Sequence, residues 1–94
     1  MLTPDFRKTL AVKAQGLSPV IRIGQKGLTD AVHLEIEAAL KAHELIKIKI
    51  AEGDATIRRK LTEEIHSEHH AEIIQTIGHV AVFYRFNPLK HKKT

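Results

Sequence analysis

The run Gly24-Gln25-Lys26-Gly27 has the residue types and the spacing of a loop that can hold an anion. Two glycines three positions apart let the chain turn sharply and bring backbone N–H groups close to a ligand, because no Cβ atom stands in the way. Lys26 adds a mobile positive charge at the tip. The run matches neither a Walker loop nor a dinucleotide-binding fingerprint. It indicates contact with phosphate groups, although the same spacing also occurs in turns that need glycine only for their backbone conformation.

The flanking elements bear on whether this loop can hold phosphate. Residues 20–23 form a short β-rich run before it. Thr29 can cap a helix, and apolar residues recur at helical spacing from Val32 to Ile36. A loop that leads from a strand into a helix gains the unpaired N–H groups and the positive dipole end of that helix. The pattern therefore favours the anion-binding interpretation.

The rest of the chain alternates between helical and extended patterns. Apolar spacing predicts a first helix from Pro4 to Gln15 and a third helix over residues 55–68. Between residues 44 and 50, isoleucines alternate with Lys47 and Lys49, which predicts a strand with one buried and one cationic face. Residues 72–77 and 80–86 are predicted to form a hairpin that turns at Gly78-His79.

These elements follow the order α-β-α-β-α-β-β and predict an α/β (α+β) fold. With right-handed crossovers, two strand-helix-strand units place the helices mainly on one side of a mixed four-stranded sheet. The order of the strands stays open. We expect a single domain over residues 1–87, followed by a basic and mobile tail at 88–94.

Composition and charge limit what the protein can do. The 94 residues carry a net charge of +4. Residues 1–29 hold five bases against one acid, residues 30–72 hold six bases against ten acids, and residues 73–94 hold four bases and no acid. If the two basic ends meet in space, they form a surface that suits a polyanion; otherwise they only keep the protein soluble.

The chain contains no cysteine, which excludes disulfides, thiolate nucleophiles and Cys-based zinc sites. No segment reaches the ~20 apolar residues of a membrane span, and the first residues lack the pattern of a signal peptide. We therefore expect a cytoplasmic protein without a membrane partner.

Further basic residues are candidates for the same surface. We expect the bases of the first helix to lie near the loop, Arg22 to precede it on the strand, and the others to line the open face of the sheet. The candidates are Arg7, Lys8 and Lys13 in the helix, Arg22 before the loop, and Lys47, Lys49 and Arg85 in the sheet. Alternatively, the sheet lysines merely solvate that face and discourage aggregation through strand edges.

Three histidines near the end of the third helix raise the question of a metal site. His66, His69 and His70 have i, i+3 and i, i+4 spacing, so their side chains could converge. The His-Glu-x-x-His motif is absent, and histidines at helix ends more often bind terminal carbonyls or face solvent. The sequence also offers no nucleophile with a base and no paired carboxylates. We therefore expect no metal, no cofactor and no enzymatic activity.

Several longer runs resemble the CRM domain, whose name stands for chloroplast RNA splicing and ribosome maturation. They are residues 17–29 around the loop, residues 35–40 and 43–50, and residues 77–85. The resemblance covers about residues 2–85 in the right order and spacing, and the bacterial members form the YhbY-like group. It implies a fold similar to the C-terminal domain of a bacterial translation initiation factor. It also implies RNA contact through Gly24, Gln25, Lys26 and Gly27.

The resemblance further implies association with precursors of the large (50S) ribosomal subunit, so the expected partner is ribosomal RNA or the pre-50S particle. We expect a monomer. Aromatic residues are few, and Phe83 and Tyr84 point to opposite sides of their strand, so we expect one of them to belong to the core. Binding should therefore depend on RNA backbone and shape more than on base stacking.

An alternative function is a protein-interaction module. The predicted second helix carries Glu35 and Glu37 in the acidic middle of the chain. Through this helix the protein would dock on a ribosomal protein or an RNA-processing factor.

Overall fold

The structure of the protein, a computed structural model, describes residues 2–92. The bounds of its elements are α1 Pro4–Ala14, β1 Ile21–Ile23, α2 Asp30–His43, β2 Leu45–Ile50, α3 Ala55–His69, β3 Glu72–Ile77, β4 Val80–Tyr84 and a short 3-10 helix Pro88–His91. The predicted order is confirmed, and the bounds differ from the predicted ones by at most two residues. Within residues 2–92, no helix combines the length and the apolar character needed to cross a bilayer.

Each α-helix begins at a residue whose side chain accepts a hydrogen bond from the backbone of the first turn. These residues are Thr3, Thr29 and Asp54, and each binds the N–H group three positions further on. The cap predicted at Thr29 is thereby confirmed, and Asp54 caps the predicted third helix. Because Thr29 fixes the start of α2, only Leu28 separates the cap from the Gly24–Gly27 loop.

The four strands form one mixed sheet in the order β1-β2-β4-β3. Strands β1 and β2 are parallel, whereas β4 is antiparallel to both of its neighbours. The carboxyl ends of β1 and β2 therefore lie at the same end of the sheet as the turn between β3 and β4. The Gly24–Gly27 loop leaves the sheet at this end, beside the edge strand β1.

On one face of the sheet, α2 and α3 pack over the main core. Fully buried residues from both helices, such as Ile36 and Ile65, belong to the same apolar cluster as Ile48 and Phe83 of the strands. The prediction that the helices lie mainly on one side is confirmed, because two of the three described α-helices pack there.

Helix α1 covers part of the opposite face, which we expected to be open. Its apolar stripe of Phe6, Leu10 and Ala14 repeats every four residues, and Leu10 and Ala14 are buried. The ring of Phe6 meets Tyr84 edge to face, with 5.5 Å between the ring centroids. We predicted that one of Phe83 and Tyr84 belongs to the core. Phe83 lies in the main core, and Tyr84 is buried as well because α1 shields it.

Beyond β4, the chain folds back on the end of α2. The carboxylate of Glu44 accepts a hydrogen bond from the N–H of Asn87 at 2.7 Å and lies 2.9 Å from Nε2 of His91. Burial acts to raise the pKa of Glu44, but these contacts and the nearby charge of Lys90 lower it overall. Residues 88–91 of the predicted tail thus form a helix that contacts Glu44, the residue that follows α2. Residues 93 and 94 lie outside the described part, and the mobility of the tail stays a prediction.

Candidate nucleic-acid interface

The Gly24–Gly27 loop joins β1 to α2 through a tight turn. The N–H of Gly27 donates to the carbonyl of Gly24 at 3.0 Å, so Gln25 and Lys26 stand exposed at the tip. Within residues 2–92, the N–H groups of Gln25 and Lys26 donate to no acceptor. Successive backbone N–H groups in a turn form an anion-binding concavity. The tip therefore offers two backbone donors and one ammonium group to a phosphate.

The two glycines of the loop differ in what the backbone requires of them. Gly27 has a φ of +69°, in the left-handed region where residues with a Cβ are strained. Gly24 lies outside that region, and a Cβ added there would have no heavy atom within 4 Å. A loop that needs glycine only for its conformation explains Gly27 but leaves Gly24 unexplained. The open space at Gly24 is consistent with a ligand that approaches the backbone.

The start of α2 offers less to an anion than we predicted. The side chain of Thr29 already accepts the N–H of Val32 at 3.2 Å. Asp30 adds a negative charge in the first turn, where it stabilises the helix dipole but repels phosphate. Anion binding at this end of the molecule therefore depends on the loop tip more than on the helix end.

Three predicted bases lie together on the α1 side of the sheet, and we call Arg22, Lys47 and Lys49 the basic face. Arg22 and Lys49 are paired on neighbouring strands, and both are exposed. Nζ of Lys47 donates to the carbonyl of Leu17 at 2.9 Å. Within residues 2–92, none of the three pairs with a carboxylate. Because Arg22 comes two residues before Gly24, the basic face leads directly into the loop.

The bases of α1 do not gather at the loop. Nη2 of Arg7 donates to the carbonyl of Ile73 at 2.5 Å, and Nη1 lies 3.6 Å from the carboxylate of Glu72. Both partners are in β3, at the opposite edge and the opposite end of the sheet, so the predicted position of Arg7 is wrong. Lys8 and Lys13 are exposed on α1, and Lys13 borders a groove that Lys47 also lines.

The prediction that Arg85 lies on the open face is also wrong. It follows Tyr84, so its side chain points to the α2 and α3 side. Its two terminal nitrogens donate to the carboxylate of Glu37 at 2.9 and 3.1 Å, and Nη1 also donates to the carbonyl of His69. The hydrogen bonds from Arg85 and the contact with the His69 side chain lower the pKa of Glu37 to about 2, against the opposing effect of burial. Arg85 therefore joins α2, α3 and the end of β4.

The same contacts bear on the acidic second helix. Glu37 is committed to Arg85 and to Nδ1 of His69, which lies 2.6 Å away. Glu35 remains exposed, but one carboxylate is a weak basis for a docking surface. The structure therefore offers little support for the protein-interaction alternative.

The histidines at the end of α3 do not converge. Nδ1 of His66 lies 2.6 Å from the carbonyl of Ala71, His69 is buried and His70 is exposed. His69 instead meets His33 of α2, with 2.7 Å between Nε2 and Nδ1. Sequence reasoning missed this contact because the two residues are far apart in the chain. Across residues 2–92, no group of three or more His, Cys, Asp or Glu side chains is arranged to hold a metal ion.

The fold and the loop together define a small α/β domain with a strand-to-helix GxxG turn beside a cationic sheet face. Comparison with known families identifies it further. The CRS1 / YhbY (CRM) domain matches residues 2–85, and the chain therefore belongs to this family. This confirms the resemblance inferred from the runs around the loop and the hairpin.

Individual relatives extend over nearly the whole chain. An RNA-binding protein of Haemophilus influenzae is 46% identical over 84 residues, which are 89% of this chain and 85% of that protein. A probable RNA-binding protein of Pseudomonas aeruginosa is 37% identical over 91 residues, which are 97% and 88% of the two chains. The solution structure of a hypothetical Staphylococcus aureus protein, described as an RNA-binding candidate, matches with a TM-score of 0.80 at 28% identity and covers 93% of this chain and 91% of that one.

Proposed function

We propose that the protein binds RNA by holding its phosphate backbone at the Gly24–Gly27 loop and along the basic face. Two observations within residues 2–92 carry this proposal. The two N–H groups at the exposed loop tip have no acceptor, and the neighbouring Arg22 and Lys49 have no carboxylate partner. A polyanion with regularly spaced phosphates matches a series of donors along an exposed surface. The names of the two bacterial relatives also support RNA as the ligand.

We further propose that this RNA is ribosomal and belongs to a precursor of the large (50S) subunit, on which the protein acts as a monomer in the cytoplasm. Membership of the CRM family supports this role, since the family name joins RNA splicing to ribosome maturation.

The loop contact is tested by two variants that make the same change of charge. Lys26→Glu puts a carboxylate at the loop tip, whereas Lys60→Glu puts one on an exposed position of α3. In fluorescence anisotropy with a labelled hairpin of large-subunit ribosomal RNA, we expect Lys26→Glu to weaken binding about tenfold, or about 1.4 kcal/mol. Lys60→Glu should change it less than about twofold, because long-range repulsion is screened by salt. Equal losses would contradict the loop contact, since they would reflect net charge alone.

The same assay in a salt series tests whether phosphates are bound at all. A few phosphate contacts predict a slope of log affinity against log salt of about −3 to −5 for the unaltered protein. A flat response would exclude a backbone-dominated interface. If Lys26→Glu has the same salt slope as the unaltered protein, the phosphate contacts lie on the basic face and not at the loop.

A further inference from the structure

A groove on the α1 side of the sheet lies beside the basic face, and the proposed function does not use it. It is open to solvent, its volume is about 250 Å³, and it lies between the end of α1 and the β3–β4 hairpin. We call this groove the slot. Val80 and Val82 of β4 form its floor, and Ala14 and Ile77 form its apolar sides.

The polar groups of the slot lie at its rim and include no acid. They are Gln15 at the end of α1, Gln75 in β3 and Lys47 of the basic face. A side-chain amide both donates and accepts hydrogen bonds. An apolar floor with two amides and one ammonium group at the rim matches a nucleobase, which is a flat ring with donors and acceptors along its edge.

An irregularity in β3 brings Gln75 and Ile77 to this face. Ile73 pairs with Phe83 on the core side, and the next paired residue is Gln75, opposite Val82. The extra residue, Ile74, is a β-bulge that shifts the alternation by one position. Without it, Gln75 would point into the core side, and the slot would lose one of its two amides.

The register of the strands puts the slot next to the cationic residues. Lys49 pairs with Arg22 on one side and with Val80 on the other, and Val80 pairs with Ile77. One row across the sheet therefore holds two exposed basic residues, Arg22 and Lys49, followed by two residues of the slot, Val80 and Ile77. Adjacent strands lie about 4.8 Å apart. A phosphate bound by Lys49 would thus leave the base of a neighbouring nucleotide within reach of Val80.

We propose that the slot binds one unpaired nucleobase of the RNA whose backbone lies on the basic face. This inference rests on the proposed function and names the part of the RNA that the site selects. Paired bases are stacked inside a helix and cannot enter a groove, whereas a bulged or single-stranded nucleotide can be turned outward. The protein should therefore prefer RNA with an unpaired nucleotide beside a helical segment.

The test compares two RNA hairpins that differ by one bulged nucleotide in the stem. We expect the unaltered protein to bind the bulged hairpin about tenfold more tightly. Gln75→Glu should reduce this preference to less than about twofold, because a carboxylate replaces an amide donor at the rim and repels RNA. Thr76→Glu is the matched control, since Thr76 is exposed and pairs with Ala81 on the opposite face. It should keep the preference; if it abolishes the preference as Gln75→Glu does, the slot is not the site.

A second measurement uses the unaltered protein and does not depend on the folding of a variant. The methyl NMR signals of Val80 and Val82 should change their chemical shifts when the bulged hairpin is added. They should not change when the fully paired hairpin is added. If both hairpins bind equally and these methyl groups do not respond, the slot proposal is wrong. Lys26→Glu separates this failure from that of the proposed function: it should weaken binding of both hairpins alike, and if it weakens neither, the loop contact fails as well.

Discussion

The two faces of the sheet hold the same kinds of basic side chain in opposite circumstances. On the α2 and α3 side, Arg85 donates to the carboxylate of Glu37 and to the carbonyl of His69. On the α1 side, Arg22 and Lys49 stand next to each other without a carboxylate in reach among residues 2–92. The first arrangement stabilises the fold, whereas the second leaves positive charges available to a ligand. The location of the partner carboxylate therefore decides which role a base has.

This comparison predicts opposite effects for two arginines. Arg85→Ala should lower the free energy of unfolding by about 2–3 kcal/mol, because it leaves Glu37 without its main partner; the partial exposure of Glu37 keeps the loss below that of a fully buried pair. RNA affinity at a temperature where the variant is folded should change less than about twofold. Urea unfolding and anisotropy measure the two quantities. If Arg85→Ala is as stable as the unaltered protein but no longer binds RNA, Arg85 has a binding role and the comparison is wrong.

Sequence patterns could not distinguish Arg22 from Arg85. Both stand next to alternating apolar residues, and the deciding contact joins Arg85 to a carboxylate 48 positions earlier. The order of the elements and the caps Thr29 and Asp54 were predictable because they depend on neighbours within one helical turn. The position of α1 was not, since its apolar stripe predicts a buried side but not the surface it covers.

The Arg85–Glu37 pair also predicts how stability depends on pH. The pKa of Glu37 is about 2 in the folded protein and 4.5 ordinarily, so the folded state favours the ionised carboxylate. The ionised carboxylate therefore contributes fully to the free energy of unfolding above pH 4.5, and this contribution is lost as the pH falls toward 2. Glu37→Gln should therefore cost about 1–2 kcal/mol at pH 7, reduced by partial exposure, and progressively less below pH 4.5. Glu35→Gln, at an exposed position of the same helix, should cost less than about 0.5 kcal/mol. Thermal unfolding from pH 7 to pH 3 measures the stability of both variants. If the stability lost in Glu37→Gln is the same at every pH, the ion pair is contradicted.

On the α1 side, removal of a base should affect RNA binding and not folding. Arg22→Ala and Lys49→Ala should each weaken RNA affinity about threefold to fivefold and reduce the salt slope by about 1. Arg59→Ala, which removes an exposed arginine from α3, should do neither. The free energy of unfolding should change by less than about 0.5 kcal/mol in all three. If Arg59→Ala lowers the slope as much as Arg22→Ala, the interface extends to the helix side.

The loop and the slot differ in how far the sequence predicts them. Four consecutive residues define the loop, so its glycine spacing was visible without a structure. The slot combines α1, β2, β3 and β4, and Gln75 reaches it only because Ile74 forms a bulge. Nothing in the order of residues 72–77 indicates that bulge, because the run reads as a regular strand. Sites within one turn are thus predictable, whereas sites between elements depend on register.

The smallest expected effect on stability concerns the backbone at the end of α3, on the face of the sheet that carries the Arg85–Glu37 pair. It involves no ion pair. His70 ends α3 in the left-handed region, with φ 51° and ψ 41°. Glycine adopts this conformation without strain, so His70→Gly should raise the free energy of unfolding by about 0.5–1 kcal/mol. Ser67→Gly, three residues earlier inside the helix, should lower it by about 0.5 kcal/mol. RNA affinity should stay the same in both variants, since neither touches the basic face. Opposite signs in urea unfolding would show that stability on this side can change while binding does not, and equal losses would contradict the left-handed end of α3.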